Sequence, residues 1–210
     1  MKKFVIFFFL VSISSSYSQI LKGYGIKIGG TISHQNWDYT PISPVRGFDP
    51  DNKIGFNIGV FAELIDIPNL RLVTELNYVQ KGIQKEIVKT ESEYPDGVGS
   101  VLWKMRIDYL NLSIMVKPMM DLGMFSPYLL IGPRLDYEIG KSLAYDQASF
   151  YDEFKKSRLG LKVGLGSEIK IIGLKLVTEF IYDLDFTELY KNENVKVTTD
   201  SFDFRIGIYL

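Results

Sequence analysis

The sequence contains no cysteine and a single histidine, His34, among its 210 residues. Without cysteine the chain has no disulfide, no thiolate zinc site and no lipid-modified cysteine anchor. One histidine also makes a multi-histidine metal site impossible. The 24 Lys and Arg balance the 25 Asp and Glu, so no net field attracts nucleic acid. We therefore expect no metal, no cofactor and no nucleic-acid partner.

Long apolar runs are also scarce, and the one near the start is short. Lys2 and Lys3 precede the apolar run Phe4 to Ile13, and Ser16-Tyr17-Ser18 supplies small residues at the spacing of a cleavage site. A run of about ten residues is too short to span a membrane, which takes about twenty. We predict that residues 1–18 are a signal peptide and that residues 19–210 are the mature domain. Because the mature part has no longer apolar run, only a closed β-barrel could carry it across a membrane.

What the mature part does contain is alternation of apolar and polar residues with a period of two, which predicts strands with two different faces. Asp, Glu, Lys and Arg are missing from the apolar phase of every such stretch. The eight apolar stripes are Tyr24–Ile32, Ile54–Leu64, Leu70–Tyr78, Leu110–Val116, Leu129–Ile139, Leu159–Ile169, Leu174–Leu184 and Phe202–Leu210.

The volume of the apolar phase indicates which way it points. It holds about forty mostly large side chains, whereas an eight-stranded barrel is only just wide enough for its inward ones. The other phase is rich in glycine, which suits a narrow interior. Long connections at about 35–53, 84–106, 140–157 and 186–200 alternate with short links at 65–69, 118–124 and 170–173. We therefore predict an all-β protein, an eight-stranded antiparallel up-and-down transmembrane barrel whose apolar face contacts outer-membrane lipid.

A repeated hairpin places charge on the inner face. Residues 70–78, LRLVTELNY, match residues 174–182, LKLVTEFIY, and equal structural constraints or an internal duplication would each explain the match. Glu75 and Glu179 lie in the interior phase near Arg71 and Lys175, which predicts a buried ion-pair network. The full predicted network is Glu63, Arg71, Glu75, Arg134, Glu168, Lys175, Glu179 and Arg205.

Several segments resemble the porin-family outer-membrane β-barrel proteins of the Bacteroidota, the PorT-like proteins. They are GIKIGGTIS at 25–33, VTELNYVQKG at 73–82, DYLNLSIMVKP at 108–118, SPYLLIGPRLDY at 126–137 and FDFRIGIYL at 202–210. The resemblance implies an outer-membrane location and a barrel. It implies little about activity, and eight strands enclose side chains rather than an aqueous pore.

The remaining candidates lie toward the predicted loops. Trp37, Tyr39, Trp103, Phe150 and Tyr151 are aromatic residues that could anchor a protein or glycan partner, cap the barrel or touch lipid headgroups. His34 could be a general base, but the chain has no G-x-S-x-G elbow, so we expect no catalytic residue.

These observations favour a structural or interaction barrel that acts through its extracellular loops or periplasmic rim. A narrow transport or secretion-accessory barrel is the alternative, and an outer-membrane hydrolase is the weakest hypothesis. The oligomeric state stays open.

Overall fold

A computed structural model describes residues 21–40, 49–91, 94–143, 153–191 and 193–210. The predicted signal peptide lies outside these ranges. Among the described residues, no helix is long and apolar enough to cross a membrane. The strands are β1 (Leu21–Tyr39), β2 (Asp51–Ile67), β3 (Leu70–Glu91), β4 (Tyr94–Pro118), β5 (Phe125–Leu143), β6 (Ser157–Ile171), β7 (Leu174–Asp185), β8 (Tyr190–Lys191) and β9 (Val195–Tyr209).

The long strands form one antiparallel ring. Each of β1 to β7 pairs with the next in the chain, except that β7 pairs with β9 because β8 is only two residues long and pairs with β9 alone. The ring closes where β1 pairs with β9, from Gly25 opposite Tyr209 to Tyr39 opposite Val195. The prediction of an eight-stranded up-and-down barrel is confirmed, with β8 as a small addition between β7 and β9.

The two phases of each strand face opposite sides of the wall, as the alternation predicts. On β7, Phe180 is 48% exposed on the outer face, whereas Glu179 is 3% exposed in the interior. The same contrast runs around the ring, so the outer face is a continuous belt of exposed Ile, Leu, Val, Phe and Tyr side chains. A belt of this kind matches hydrocarbon rather than water.

The two ends of the barrel differ in their connections. At one end, here named the turn end, Pro68 and Asn69 join β2 to β3, residues 119–124 join β4 to β5, and Ile172 and Gly173 join β6 to β7. All three short links are confirmed. The opposite end, named the loop end, carries the remaining connections between consecutive long strands.

The four predicted long loops are too long. Strand β1 runs on to Tyr39, β5 to Leu143, and β9 starts at Val195, so strand residues occupy part of each predicted loop. The largest error is at 84–106, because β3 continues to Glu91 and β4 begins at Tyr94. The described residues of this range, 84–91 and 94–106, form a paired hairpin instead of a loop.

The physical reason for the error is an inversion of the two phases at the loop end. On β4 the inward residues Trp103, Met105 and Ile107 are buried and apolar, while the outward residues between them are charged. Closer to the turn end the same strand has Leu110 and Leu112 outward and Asn111 inward. The outer face thus changes from lipid-compatible to water-compatible above Leu110, and the strand itself continues.

Candidate functional site

Glycines on the inner face leave room for the large side chains that fill the barrel. A Cβ at Gly166 would lie 2.6 Å from the Tyr128 ring, and one at Gly164 would overlap the Ile181 side chain. The interior therefore interlocks short and long residues, and the charged ones among them form three clusters along the axis.

The middle cluster joins the two equivalent glutamates of the repeated hairpin through two shared cations. Lys27 Nζ lies 2.5 Å from Glu75 and 2.6 Å from Glu179. Arg205 lies 2.8 Å from Glu75 and 2.5 Å from Glu179. The Tyr128 hydroxyl donates a further hydrogen bond of 2.8 Å to Glu179. All five side chains are buried, so each carboxylate is balanced within the barrel.

The turn-end cluster contains the other glutamate pair, Glu63 and Glu168. Lys117 Nζ lies 2.6 Å from Glu63 and 2.5 Å from Glu168, and Arg71 bridges the same two residues at 2.9 and 3.0 Å. Lys175 lies 2.7 Å from Glu168. Arg71 and Lys175 therefore pair here, and the expected pairing with Glu75 and Glu179 is wrong. Residues four apart on a strand are separated by about 13 Å, which is too far for an ion pair.

The loop-end cluster is built around Arg134. Its guanidinium contacts Asp136 and Asp185, and Arg158 contacts Asp185 as well. Lys81 lies 3.2 Å from Asp183 and 3.4 Å from Asp136. Of the predicted network, only Arg134 belongs to this cluster.

The predicted network leaves out nine charged residues that are buried in the barrel. They are Lys27, Lys81, Lys117, Asp136, Arg158, Lys162, Asp183, Asp185 and Asp203. Most occupy the same interior phase as the predicted residues, so the phase was the signal that could have found them. The partners of each residue follow from the cross-strand register.

Apolar side chains fill the interior beside these clusters. The loop-end plug consists of buried residues from β3, β4 and β9 together with three from the connections that fold over the mouth: Ile83, Trp103, Met105, Ile107, Tyr109, Phe154, Leu189, Tyr190, Val195 and Val197. A second cluster, Phe61, Val73, Met115, Met119, Tyr128, Leu130 and Ile181, lies toward the turn end. The connections are fixed to each other, since Lys155 N–H donates to the Leu189 carbonyl at 2.9 Å.

The predicted loop aromatics divide into three groups. Trp103 lies on β4 and is only 6% exposed, so it belongs to the plug and not to a loop. Trp37 and Tyr39 lie on β1 and pack against the plug, partly buried. Phe150 and Tyr151 lie outside the described residues. None of the described three projects freely from the barrel.

His34 lies on β1 near the loop end, in the outward phase. Its Nδ1 is 2.8 Å from the Asn52 side-chain oxygen, and its Nε2 is 2.9 Å from that of Asn36. Both ring nitrogens thus contact amides, and neither of these contacts supplies the carboxylate that orients a general base.

The turn end carries a small ordered rim around Asp121. The backbone N–H of Gly123, 3.0 Å away, lowers the pKa of the Asp121 carboxyl, and the side chains of Lys170 and Ser126 add to this effect. These contacts connect the β4–β5 link to the end of β6.

Comparisons with known proteins agree with this geometry. The profile of the family described as "outer membrane protein beta-barrel domain" matches residues 17–191. No protein with a curated description matches the sequence.

Solved structures of outer-membrane barrels are similar along nearly their whole length. OprG from Pseudomonas aeruginosa is 11% identical, with a TM-score of 0.54 over 91% of this chain and 97% of OprG. Surface protein A from Neisseria is 16% identical, with a TM-score of 0.49 over 90% and 97%. The protease OmpT from Escherichia coli is 11% identical, with a TM-score of 0.41 over 90% and 94%. Identities this low support the fold alone, and among these three the OprG match carries that support.

Proposed function

The chain belongs to the outer membrane protein β-barrel domain family, and on this premise we propose that it is a closed barrel that holds an extracellular hairpin out to a partner. The turn end then faces the periplasm and the loop end faces outward, as in barrels of this class. Export by a cleaved signal peptide is part of the proposal. The segments at 25–33 and 202–210, among others, support a place with the PorT-like proteins of the Bacteroidota.

The observation that carries the proposal is the filled interior. Three ion-pair clusters and two apolar clusters occupy it, and connections at the loop end pack into its mouth. An eight-stranded wall has no width to spare once its inward side chains are large. This arrangement supports a scaffold rather than a transport path. An interaction with a partner would then involve the residues that extend beyond the barrel.

A two-stranded ribbon projects at the loop end. Pairing of β3 with β2 ends at Gln84, and pairing of β4 with β5 ends at Met105, but β3 and β4 stay paired with each other up to Glu91 and Tyr94. At about 3.3 Å per residue the ribbon extends roughly 20 Å beyond the ring. Val88 and Leu102 are 58% and 47% exposed on it. Exposed apolar residues on a two-stranded ribbon suit contact with a protein or glycan.

Photocrosslinking tests the proposal directly. A photoreactive side chain at Val88 or Leu102 should give a discrete crosslinked product in intact cells, because the ribbon lies outside the membrane. The matched control is Leu112, which faces outward on the same strand within the lipid belt and should crosslink to lipid only. A ribbon that gives no product, or the same products as Leu112, contradicts the proposal.

Conductance separates the scaffold from the transport alternative. The purified barrel in a planar bilayer should be electrically silent, because large charged and apolar side chains occupy the interior of an eight-stranded wall. Steady single-channel steps would favour transport. We propose no catalytic role, since His34 contacts the amides of Asn36 and Asn52.

A further inference from the structure

The outer wall at the loop end contains a polar groove of about 440 Å³ between β2, β3, β4 and β5. Its lining residues come from all four strands and are Lys53, Ile54, Gln80, Gln84, Lys104, Arg106 and Ser142. The groove belongs neither to the filled interior nor to the tip of the ribbon.

Local backbone geometry brings the cations of the groove together. Gln84 pairs with Lys104, and Arg106 pairs with both Gly82 on β3 and Ser142 on β5. Gly82 has no side chain and a φ of +154°, and a Cβ there would lie 3.1 Å from Cδ of Lys53. The Lys53 side chain thus packs over Gly82, and its Nζ reaches the Ile54 carbonyl at 3.2 Å.

The charge of the groove is unbalanced. The Asp108 carboxylate lies 3.2 Å from Arg106 Nε. Within the part of the chain that the structure describes, no carboxylate lies within 4 Å of the Lys53 or Lys104 ammonium group. Three adjacent cations with one contacting acid repel one another, so an anion bound among them gains charge-assisted hydrogen bonds and relieves that repulsion.

The height of the groove identifies the source of the anion. Tyr78 and Leu110 pair at the upper edge of the lipid belt. Gln80, the next outward residue on β3, donates a hydrogen bond of 2.9 Å to the Tyr78 hydroxyl and lines the groove. The groove therefore lies one side-chain layer above the hydrocarbon, in the headgroup layer of the outer leaflet.

We propose that this groove binds the phosphate groups of a phosphorylated outer-leaflet lipid whose acyl chains lie along the apolar belt below. Arg106 offers a planar fork to phosphate oxygens, and Lys53 and Lys104 act as point charges on either side. This inference needs the membrane placement but does not depend on the ribbon having a partner. The photocrosslinking and lipid-binding experiments can therefore fail independently.

The test measures binding of diphosphorylated lipid A to the purified barrel in zwitterionic detergent. Replacing Lys53, Lys104 and Arg106 together by Gln should weaken binding at least about tenfold, since several charge-assisted contacts are lost. The matched control replaces Lys155, Lys191 and Lys196 by Gln. These exposed lysines lie at the same end near Glu188, and their loss removes the same charge. The affinity of this control variant for lipid A should differ from that of the wild type by less than about twofold.

Additional measurements identify the source of the phosphate and show whether each variant is folded. Dephosphorylated lipid A should bind the wild type and the groove variant equally, and Lys104→Arg should keep the affinity of the wild type. Heat-dependent gel mobility shows that each variant is folded. Equal weakening by the groove and control variants overturns the site, because attraction to net charge would then explain binding. If soluble glucose 1,6-bisphosphate binds as tightly as lipid A, the ligand is a soluble phosphate and the lipid assignment is wrong.

Discussion

Gly166 shows how a single inner-face residue sets the packing of the barrel. Its missing side chain leaves room for the Tyr128 ring, and the Tyr128 hydroxyl in turn donates to Glu179 of the middle cluster. A methyl group there must displace either the ring or the Thr178 backbone carbonyl at 2.7 Å. The steric role of the glycine is thus tied to the electrostatic role of the glutamate.

We expect Gly166→Ala to lower the free energy of unfolding by about 1–3 kcal/mol, the usual cost of overpacking an interior. Denaturant titration in lipid vesicles, followed by tryptophan fluorescence, measures this cost. Gly30→Ala is the control, because the nearest atom to a Cβ at Gly30 is 3.9 Å away on the outer face. Equal destabilisation by the two substitutions would show that the different strand propensities of Gly and Ala, and not a steric clash with Tyr128, cause the loss of stability.

The burial of the interior charges can be predicted from the sequence, but their ion-pair partners cannot. The alternating phase identifies Glu75 and Glu179 as interior residues, and both are buried. It does not reveal that Lys27 and Arg205 are their partners, because those contacts depend on how the strands are staggered. Arg205 lies opposite Glu179 in the β7–β9 pair, and Lys27 reaches Glu179 across the join between β1 and β9. Partner choice is a property of strand stagger, which one strand's sequence does not contain.

At the scale of one element, strand β7 shows the two-sided wall most clearly. Phe180 pairs with Phe204 on β9 and Leu165 on β6, all exposed on the belt, while its neighbour Glu179 faces the middle cluster. Adjacent residues on this strand therefore experience opposite environments.

Phe180→Arg should destabilise the barrel in bilayers by about 2–4 kcal/mol, the cost of placing a cation at the lipid midplane. Glu179→Gln should leave membrane insertion intact and disturb only the charge balance with Lys27 and Arg205. Folding titrations into vesicles measure the cost of each substitution. A cysteine at 180 should react with a lipid-soluble probe and one at 179 should not, and the chain has no native cysteine to interfere. The reverse labelling pattern would invert the assignment of faces.

Strand β4 shows why element lengths could be predicted only in part. Its membrane half has the expected outward Leu110, Leu112 and Ile114. Beyond them the outward residues become Asp108, Arg106 and Lys104, which in sequence indicate an exposed loop. Period two persists, but the apolar residues move to the inner phase and form the plug. Following the alternation without requiring a constant apolar phase would have extended the predicted strand to Val101, whereas residues 94–100 carry no alternation.

At the scale of the whole molecule, the ring has no free edge within the lipid belt, because β1 pairs with β9 along fifteen positions. Deletion of residues 202–210 should remove much of this pairing and expose the edges of β1 and β7. Folded barrels often resist cold detergent and migrate differently before and after boiling, so the deletion should abolish that difference. Leu210→Ala, at the last position of the same segment at the turn end, should retain it. A deletion variant that keeps heat-dependent mobility would contradict closure through β9.

The pairing of β1 with β9 also determines the order in which the strands can pair during folding. Neighbouring strands elsewhere in the ring are close in sequence, so their hairpins can form as soon as both strands are available. The join brings Gly25 to Tyr209, and its loop-closure cost can be met only when the last strand has arrived. Until then β1 offers an unsatisfied row of backbone donors and acceptors, which hydrocarbon does not tolerate. Strand β9 must therefore be present before the barrel can seal, so a stage in which the unsealed polypeptide is kept out of hydrocarbon is a consequence of its topology.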